Sequence, residues 1–399
     1  MSDSTTQNSS GRHDPFKGLR VIDFTSMMAG PYSTRFLADG GADVIKVEAP
    51  EGDYIRTRDP MRGRSSAYFG HLNAGKRSIV LDMKNPDAVA QIKRLIDEAD
   101  VLVEAFRPGV MKRLGFDFET LRESNPGLIY CAVSGFGQTG PGSDRPAYAQ
   151  IVHAASGYDL AFANYQDDMK RPPNSALFLA DVVAGISAYA GIVTALYDRE
   201  RTKRGQMVDV ALMDGMLCLM PYEFQEAQFP AAERRPVYAP LKTQDGYIMI
   251  SAVSPRNWEN LFEVIGRPDW RDDPMLATNA GRQGNFVKVM ALIEAWMVQR
   301  TSAECVRIFD AAGVPATPYK TVRESIQDPQ FAHRGSFSTI ADEAGEYLVP
   351  NLPFRMSEAQ VDARRHVPLL GEHTEEILRD VAGASPEAIA KATARASKK

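Results

Sequence analysis

Between residues 17 and 137 short apolar runs alternate with amphipathic segments, and this alternation constrains the fold more than any other property of the chain. Leu19–Phe24 reads as a strand, about Gly30–Asp39 as a helix, Gly40 and Gly41 as a corner, and Asp43–Glu48 as a second strand. Together they make a βαβ unit with a short crossover. Arg77–Met83 predicts another strand, and NPDAVAQIKRLIDEAD an amphipathic helix that Pro86 can open near its first position. Val101–Phe106 and Leu128–Gly137 predict two more strands, with a helical turn in VMKRLG between them. Strands alternating with helices build an α/β sheet, mostly parallel.

Beyond residue 137 a glycine- and proline-rich loop runs into a helix. A second loop follows, then a long apolar helix from about Asp181 to Arg199, then strand and helix in QMVDVALMDGML. A chain of 399 residues is long for one core and natural for two. The expected organisation is a disordered tail over 1–16, a large domain over 17–220, a linker over 221–240, a smaller domain over 241–329 and a return to the large domain over 330–399.

Several function classes drop out. The charge balance, 46 − 51 = −5, provides no basic face for nucleic acid. Cys131, Cys218 and Cys305 are far apart, so neither a zinc site nor a disulfide framework is expected, and reduced thiols in a cytoplasmic protein is the simple reading. The histidines at 13, 71, 153, 333, 366 and 373 show no metal-ligand spacing. The polar start, MSDSTTQNSSGRHDP, has no apolar core of a secretory signal. The apolar stretch Ala176–Leu196 contains Asp181, Gly185 and Gly191 and is expected to be a buried helix, not a membrane span, since a charge in a lone span is costly. The first βα turn, DFTSMMAGP, lacks the glycines that let a backbone approach a pyrophosphate, which argues against a nicotinamide cofactor. Glu48, at a strand end where a ribose ligand could sit, reads equally as a solvated carboxylate.

The segments GLRVIDFTSMMAGPYSTRFLADGGADVIKVEAPEGD, NAGKRSIVLDMK, VLVEAFRPGVMKRLGFD, SGFGQTGP, RPAYAQIVHAASGY, FLADVVAGISAYAGIVTALYDRERTKRGQMVDVALMDGM and PLLGEHTEEIL together resemble the family III CoA transferases, which include α-methylacyl-CoA racemases. The resemblance spans about residue 17 to about 380. It implies a Rossmann-like large domain plus a smaller α+β domain in an interlocked homodimer, each chain threading through a hole in its partner. It implies acyl-CoA and carboxylic acid substrates, with coenzyme A as substrate and no cofactor or metal.

Asp181, in LADVVAG, matches the family's catalytic aspartate. Independently, an aspartate entering an apolar helix is costly to bury unless paired or used, and small neighbours leave room for a ligand. A carboxylate can attack a thioester because thiolate leaves readily. The competing reading is that Asp181 caps its helix. Tyr148 stands where racemases carry a histidine base, and a phenol is a poor substitute at neutral pH, which favours transferase over racemase. A non-catalytic CoA-binding protein is the further alternative. His153, five residues on, reads as a polar wall of the pocket or a core residue. The resemblance implies CoA contacts for Lys76 and Arg113, packing of Phe106 on adenine or pantetheine, and a place for Ala29 at the start of the CoA tunnel. Arg107 and Lys112 are further phosphate partners; Arg145, Arg171 and Arg56 are candidates for an acceptor carboxylate. Formyl-CoA transferase has Gln where Met28 stands, an arginine where Ala49 stands, and a tetraglycine loop that this chain lacks. Met28 with Met27 therefore implies a more apolar acyl pocket, or core packing.

Overall fold

The computed structural model describes residues 12–166, 171–173, 176–230 and 237–394; residues 1–11 of the expected tail and 231–236 of the expected linker lie outside them. The chain forms two compact units, Met1–Phe224 with Ala332–Lys399, and Gln225–Phe331.

The large unit is built on six strands: β1 (Arg20–Asp23), β2 (Asp43–Glu48), β3 (Arg77–Val80), β4 (Val101–Glu104), β5 (Ile129–Ser134) and β6 (Gln206–Ala211). Their order is β3-β2-β1-β4-β5-β6 and every pairing is parallel. This is the order of doubly wound nucleotide-binding sheets, in which winding reverses between β1 and β4. The expected mixed α/β class with a parallel central sheet is the one observed.

The connecting helices are α1 (Ala29–Asp39), α2 (Ala67–Asn73), α3 (Pro86–Asp97), α4 (Val110–Leu114), α5 (Phe118–Ser124), α6 (Ala149–Ala155), α7 (Tyr158–Ala163), α8 (Leu179–Thr202) and α9 (Leu212–Cys218). Successive strand residues point to opposite faces, so each strand feeds two cores. Ile22, Ile45, Ile79 and Leu102 pack with α3 and α5 on one side. Val21, Val44, Val101 and Ile129 pack with α1 and α8 on the other. Burial on both faces is why these strands read as near-continuous apolar runs. α3 starts as its sequence predicts: Asn85 accepts the Asp87 N–H, and Pro86 takes the first position.

Among the described residues α8 is the one helix long and apolar enough, by length and composition, to cross a bilayer. Its stripe of Ala180, Ala184, Gly185, Ala188 and Ile192 is buried in the core of the large unit. A hairpin over residues 337–350 and helices over Thr374–Asp380 and Pro386–Thr393 also belong to the large unit.

The small unit has three antiparallel strands, β7 (Leu241–Lys242), β8 (Tyr247–Ile250) and β9 (Ala316–Pro318), with β8 in the middle. Helices over Pro255–Val264, Phe286–Met297 and Ser302–Ala311 cover it, with Ile248, Trp258, Phe262, Ile293 and Phe309 in its core. The hairpin strands of the large unit are β10 (Phe337–Asp342) and β11 (Gly345–Pro350).

Candidate active site

Where β1 ends, a cluster of buried ions begins. Asp23 accepts hydrogen bonds from the Thr25 N–H (2.8 Å), the Thr34 hydroxyl (2.7 Å) and Lys76 Nζ (2.9 Å). Lys46 Nζ donates to Thr25 O (2.7 Å) and lies 3.0 Å from Asp53 Oδ2. Asp53 Oδ1 accepts the N–H groups of Ile55 (3.1 Å) and Met27 (3.3 Å). Asp23, Lys46, Asp53 and Lys76 are all buried. Burial pushes the Asp23 carboxyl up, but Lys76, Lys46 and hydrogen bonds from the Thr25 and Thr34 hydroxyls outweigh it and lower its pKa to about 2. Burial lowers Lys76 to about 8, against the pull of Asp23. The pair is therefore ionised at neutral pH.

These ions hold the β1–α1 turn in a costly shape. Met27 has φ of 68°, in the left-handed region that non-glycine side chains avoid at a cost of about 1–3 kcal/mol. The Met27 N–H bond to Asp53 ties the turn to the ions beneath. Ser26, Met27 and Met28 consequently face outward along one wall of a cleft of about 1070 Å³. Tyr54, Ile55 and Arg58, Tyr68 on α2, Tyr148, and Phe178 with Asp181 at the start of α8 also line the cleft. A smaller cavity of about 240 Å³ shares Ser26, Met27 and Tyr148 and lies over the carboxyl ends of β1, β4 and β5. Phe106, Arg107, Ser134 and Arg145 line it. The reversal point of a doubly wound sheet is where such folds bind ligands. The Ser134 hydroxyl there is buried with no hydrogen-bond partner among the described residues, an acceptor or donor available to a ligand.

Asp181 is the third residue of α8. Burial pushes its pKa up to about 6, and hydrogen bonds from the backbone N–H groups of Ala29 and of Asp181 itself only partly offset this. Ala29 is the first residue of α1, so the amino ends of two helices converge on one carboxylate. Gly185, one turn after Asp181, permits this convergence. A Cβ there would stand 2.8 Å from Ala29 O and 3.1 Å from Tyr32 Cβ. Gly185→Ala is expected to cost about 1–3 kcal/mol of stability, as overpacked cores do, and to lower kcat by moving Ala29 off the carboxylate. Urea denaturation and steady-state kinetics on the purified variant check both parts.

Thus Asp181, Met28, Tyr148 and the Ala29 backbone come together at the larger cleft, and Phe106 lines the smaller cavity. Lys76 lines neither. Its three donors go to Asp23, Pro31 O (3.0 Å) and Asn73 Oδ1 (2.8 Å), leaving none for a phosphate. Arg113 is exposed on α4 and also lines neither cavity. His153 is buried behind the cleft, its Nε2 3.2 Å from the Ala180 N–H. Arg56 is engaged by Glu48 through two bonds of 2.7 and 2.6 Å, which also accounts for Glu48. Arg145 lines the smaller cavity, and Arg171 is exposed and lines neither.

Tyr68 and Arg58 carried no signal in the sequence, because the segment between β2 and β3 has no periodicity. Burial, then the charges of Asp181 and Asp53, push the Tyr68 phenol up to about 12, so it stays a neutral donor beside the carboxylate. Arg58 stacks 3.9 Å over Tyr54 and has no ion-pair partner among the described residues.

Residues 16–374 match the model of CoA-transferase family III. The chain belongs to that family. An acetyl-CoA:oxalate CoA-transferase of Acetobacter aceti is 38% identical over 86% of this chain and 89% of its own length. A succinate–glutarate CoA-transferase of Agrobacterium fabrum is 33% identical over 93% of this chain and 96% of its own. The crystal structure of a CAIB/BAIF family protein from Brucella suis superposes with a TM-score of 0.79 at 32% identity, covering 93% of this chain and all 100% of that one. Family membership makes the chain a CoA-transferase.

Proposed function

We propose that this enzyme moves CoA from an acyl-CoA to a carboxylic acid through covalent intermediates on Asp181. One observation carries the reading: a carboxylate whose basicity is raised by burial faces an open cleft that runs to the ligand-binding edge of a parallel sheet. Asp181 attacks the thioester carbonyl, the C–S bond breaks, and CoA thiolate leaves a mixed anhydride. The thiolate then attacks the aspartyl carbonyl, releasing the donor acid and leaving an aspartyl-CoA thioester. The acceptor carboxylate attacks that carbonyl and frees the thiolate, which finally takes the acceptor acyl group and restores Asp181. No proton is gained or lost in the cycle.

Arg107 and Arg145 line the smaller cavity, which supports a role for both in binding CoA phosphates. The named relatives act on oxalate, succinate and glutarate. A dicarboxylic substrate fits Arg58 in the Asp181 cleft, whose guanidinium has no ion-pair partner among the described residues and can take a second carboxylate. We also propose an interlocked homodimer: Ile186 and Tyr197 on α8 stand exposed and are suited to burial against a second copy.

The test is trapping. Enzyme incubated with acyl-CoA and hydroxylamine should acquire a hydroxamate at Asp181, read by peptide mass spectrometry; transfer that continues with Asp181 unmodified would refute the covalent route. Since only the ionised carboxylate attacks, kcat/KM should also fall about tenfold per pH unit below about 6 and level off above it. A rate profile between pH 4.5 and 8 measures this.

A further inference from the structure

We infer that His153 is a positioning residue for Asp181, its imidazole accepting the Ala180 N–H that the N-cap residue of α8 leaves uncapped. The inference rests on Asp181 being the group that takes the acyl chain. A helix opens with four backbone N–H groups that have no partner within it, and a Ser, Thr, Asp or Asn at the cap commonly accepts one. Phe178 precedes α8, and it makes no side-chain cap bond. The acceptor arrives instead from α6: His153 Nε2 is 3.2 Å from the N–H of Ala180, the residue directly before Asp181. The ring is 1% exposed, so this bond is shielded from water.

The bond dictates the chemistry of the ring. An Nε2 that accepts has no proton, so the neutral imidazole carries its hydrogen on Nδ1. A doubly protonated ring would set one N–H against another. Burial pushes the His153 pKa below 6.5, while the Asp159 carboxylate of α7 pulls it the other way. The Tyr158 ring of α7 packs at 5.6 Å. His153 is thus neutral at pH 7, and the first turn of α8 is pinned one peptide unit from the nucleophile. A misplacement of a reacting group by about 1 Å can cost about 100-fold in rate with little effect on binding.

The experiment compares His153→Gln, His153→Leu and Asp181→Asn in the full chain. Glutamine sets an amide oxygen near the place of Nε2; leucine removes the acceptor. His153→Leu should lose about tenfold or more in kcat with KM for acyl-CoA within about twofold, and amide exchange in the first turn of α8 should quicken. His153→Gln should keep kcat within about threefold of the parent, with slow exchange retained. Nitrogen NMR of histidine-labelled parent enzyme at pH 7 should show His153 protonated at Nδ1 and bare at Nε2, a result that needs no variant to fold. Parent-like kcat and exchange in His153→Leu, equal losses in both His153 variants, or a proton on Nε2 would each overturn the inference. Full activity in Asp181→Asn would instead refute the acyl-carrier reading and leave the His153–Ala180 bond standing.

Discussion

Asp181→Asn should lower kcat by about 10⁴-fold or more while making the protein more stable at neutral pH. The loss follows from removing the attacking oxygen; an amide of the same shape binds substrate but cannot carry the acyl group. The gain follows from burial. The folded protein holds the Asp181 proton up to pH about 6, and the unfolded chain only to 3.8. Stability contributed by the neutral acid is therefore complete below 3.8 and lost as pH rises through about 6. Asparagine is neutral at every pH, so the variant keeps at pH 7 what the parent has lost, about 3 kcal/mol. Urea denaturation should show the variant more stable at pH 7 and the two equal near pH 3.5. A variant less stable than the parent at pH 7 would mean that the two converging helix ends already compensate the charge in full.

The second large effect concerns Lys76. Lys76→Met leaves the Asp23 carboxylate buried without its nearest cation, a change that typically costs about 3–5 kcal/mol. The urea midpoint should fall accordingly, and Asp23→Asn in the same chain should recover part of the loss, because the two side chains form one unit. The ionised Asp23 stabilises the fold fully above pH 3.8, and its contribution fades only as pH falls toward about 2. The variant should therefore lag the parent throughout the physiological range. A direct phosphate contact by Lys76 predicts a different pattern, an unchanged midpoint with a large rise in KM for acyl-CoA. The two measurements separate the roles.

Much of the fold was legible because its strands are buried on both sides. RVID, VLVE and IYCAVS have few places to go except the middle of a sheet, and Pro86 and Asn85 mark a helix start by local chemistry alone. The candidate site was legible where a residue broke its local pattern, as Asp181 does in an apolar helix. It was not legible where a role depends on partners far along the chain. Lys76 looks like any lysine until Asp23, 53 residues earlier, is seen against it. The strain at Met27 has no sequence mark, since glycine is the usual residue at such a φ. His153 read as pocket wall or core because the backbone group it meets lies 27 residues on, beyond a loop.

The meeting of two helix ends on Asp181 bears on reversibility. In the proposed cycle the Asp181 carboxylate must attack once, on the donor thioester, and depart once, from the acceptor anhydride, in each turnover. A strongly basic carboxylate would attack well and then cling to its acyl cargo; a weakly basic one would let go easily and attack slowly. Burial pulls Asp181 toward the first extreme and the backbone donors of α1 and α8 toward the second. The resulting middle value suits a catalyst that runs nearly thermoneutral exchange in either direction, with the ratio of the two acids in the cell deciding which way the traffic flows.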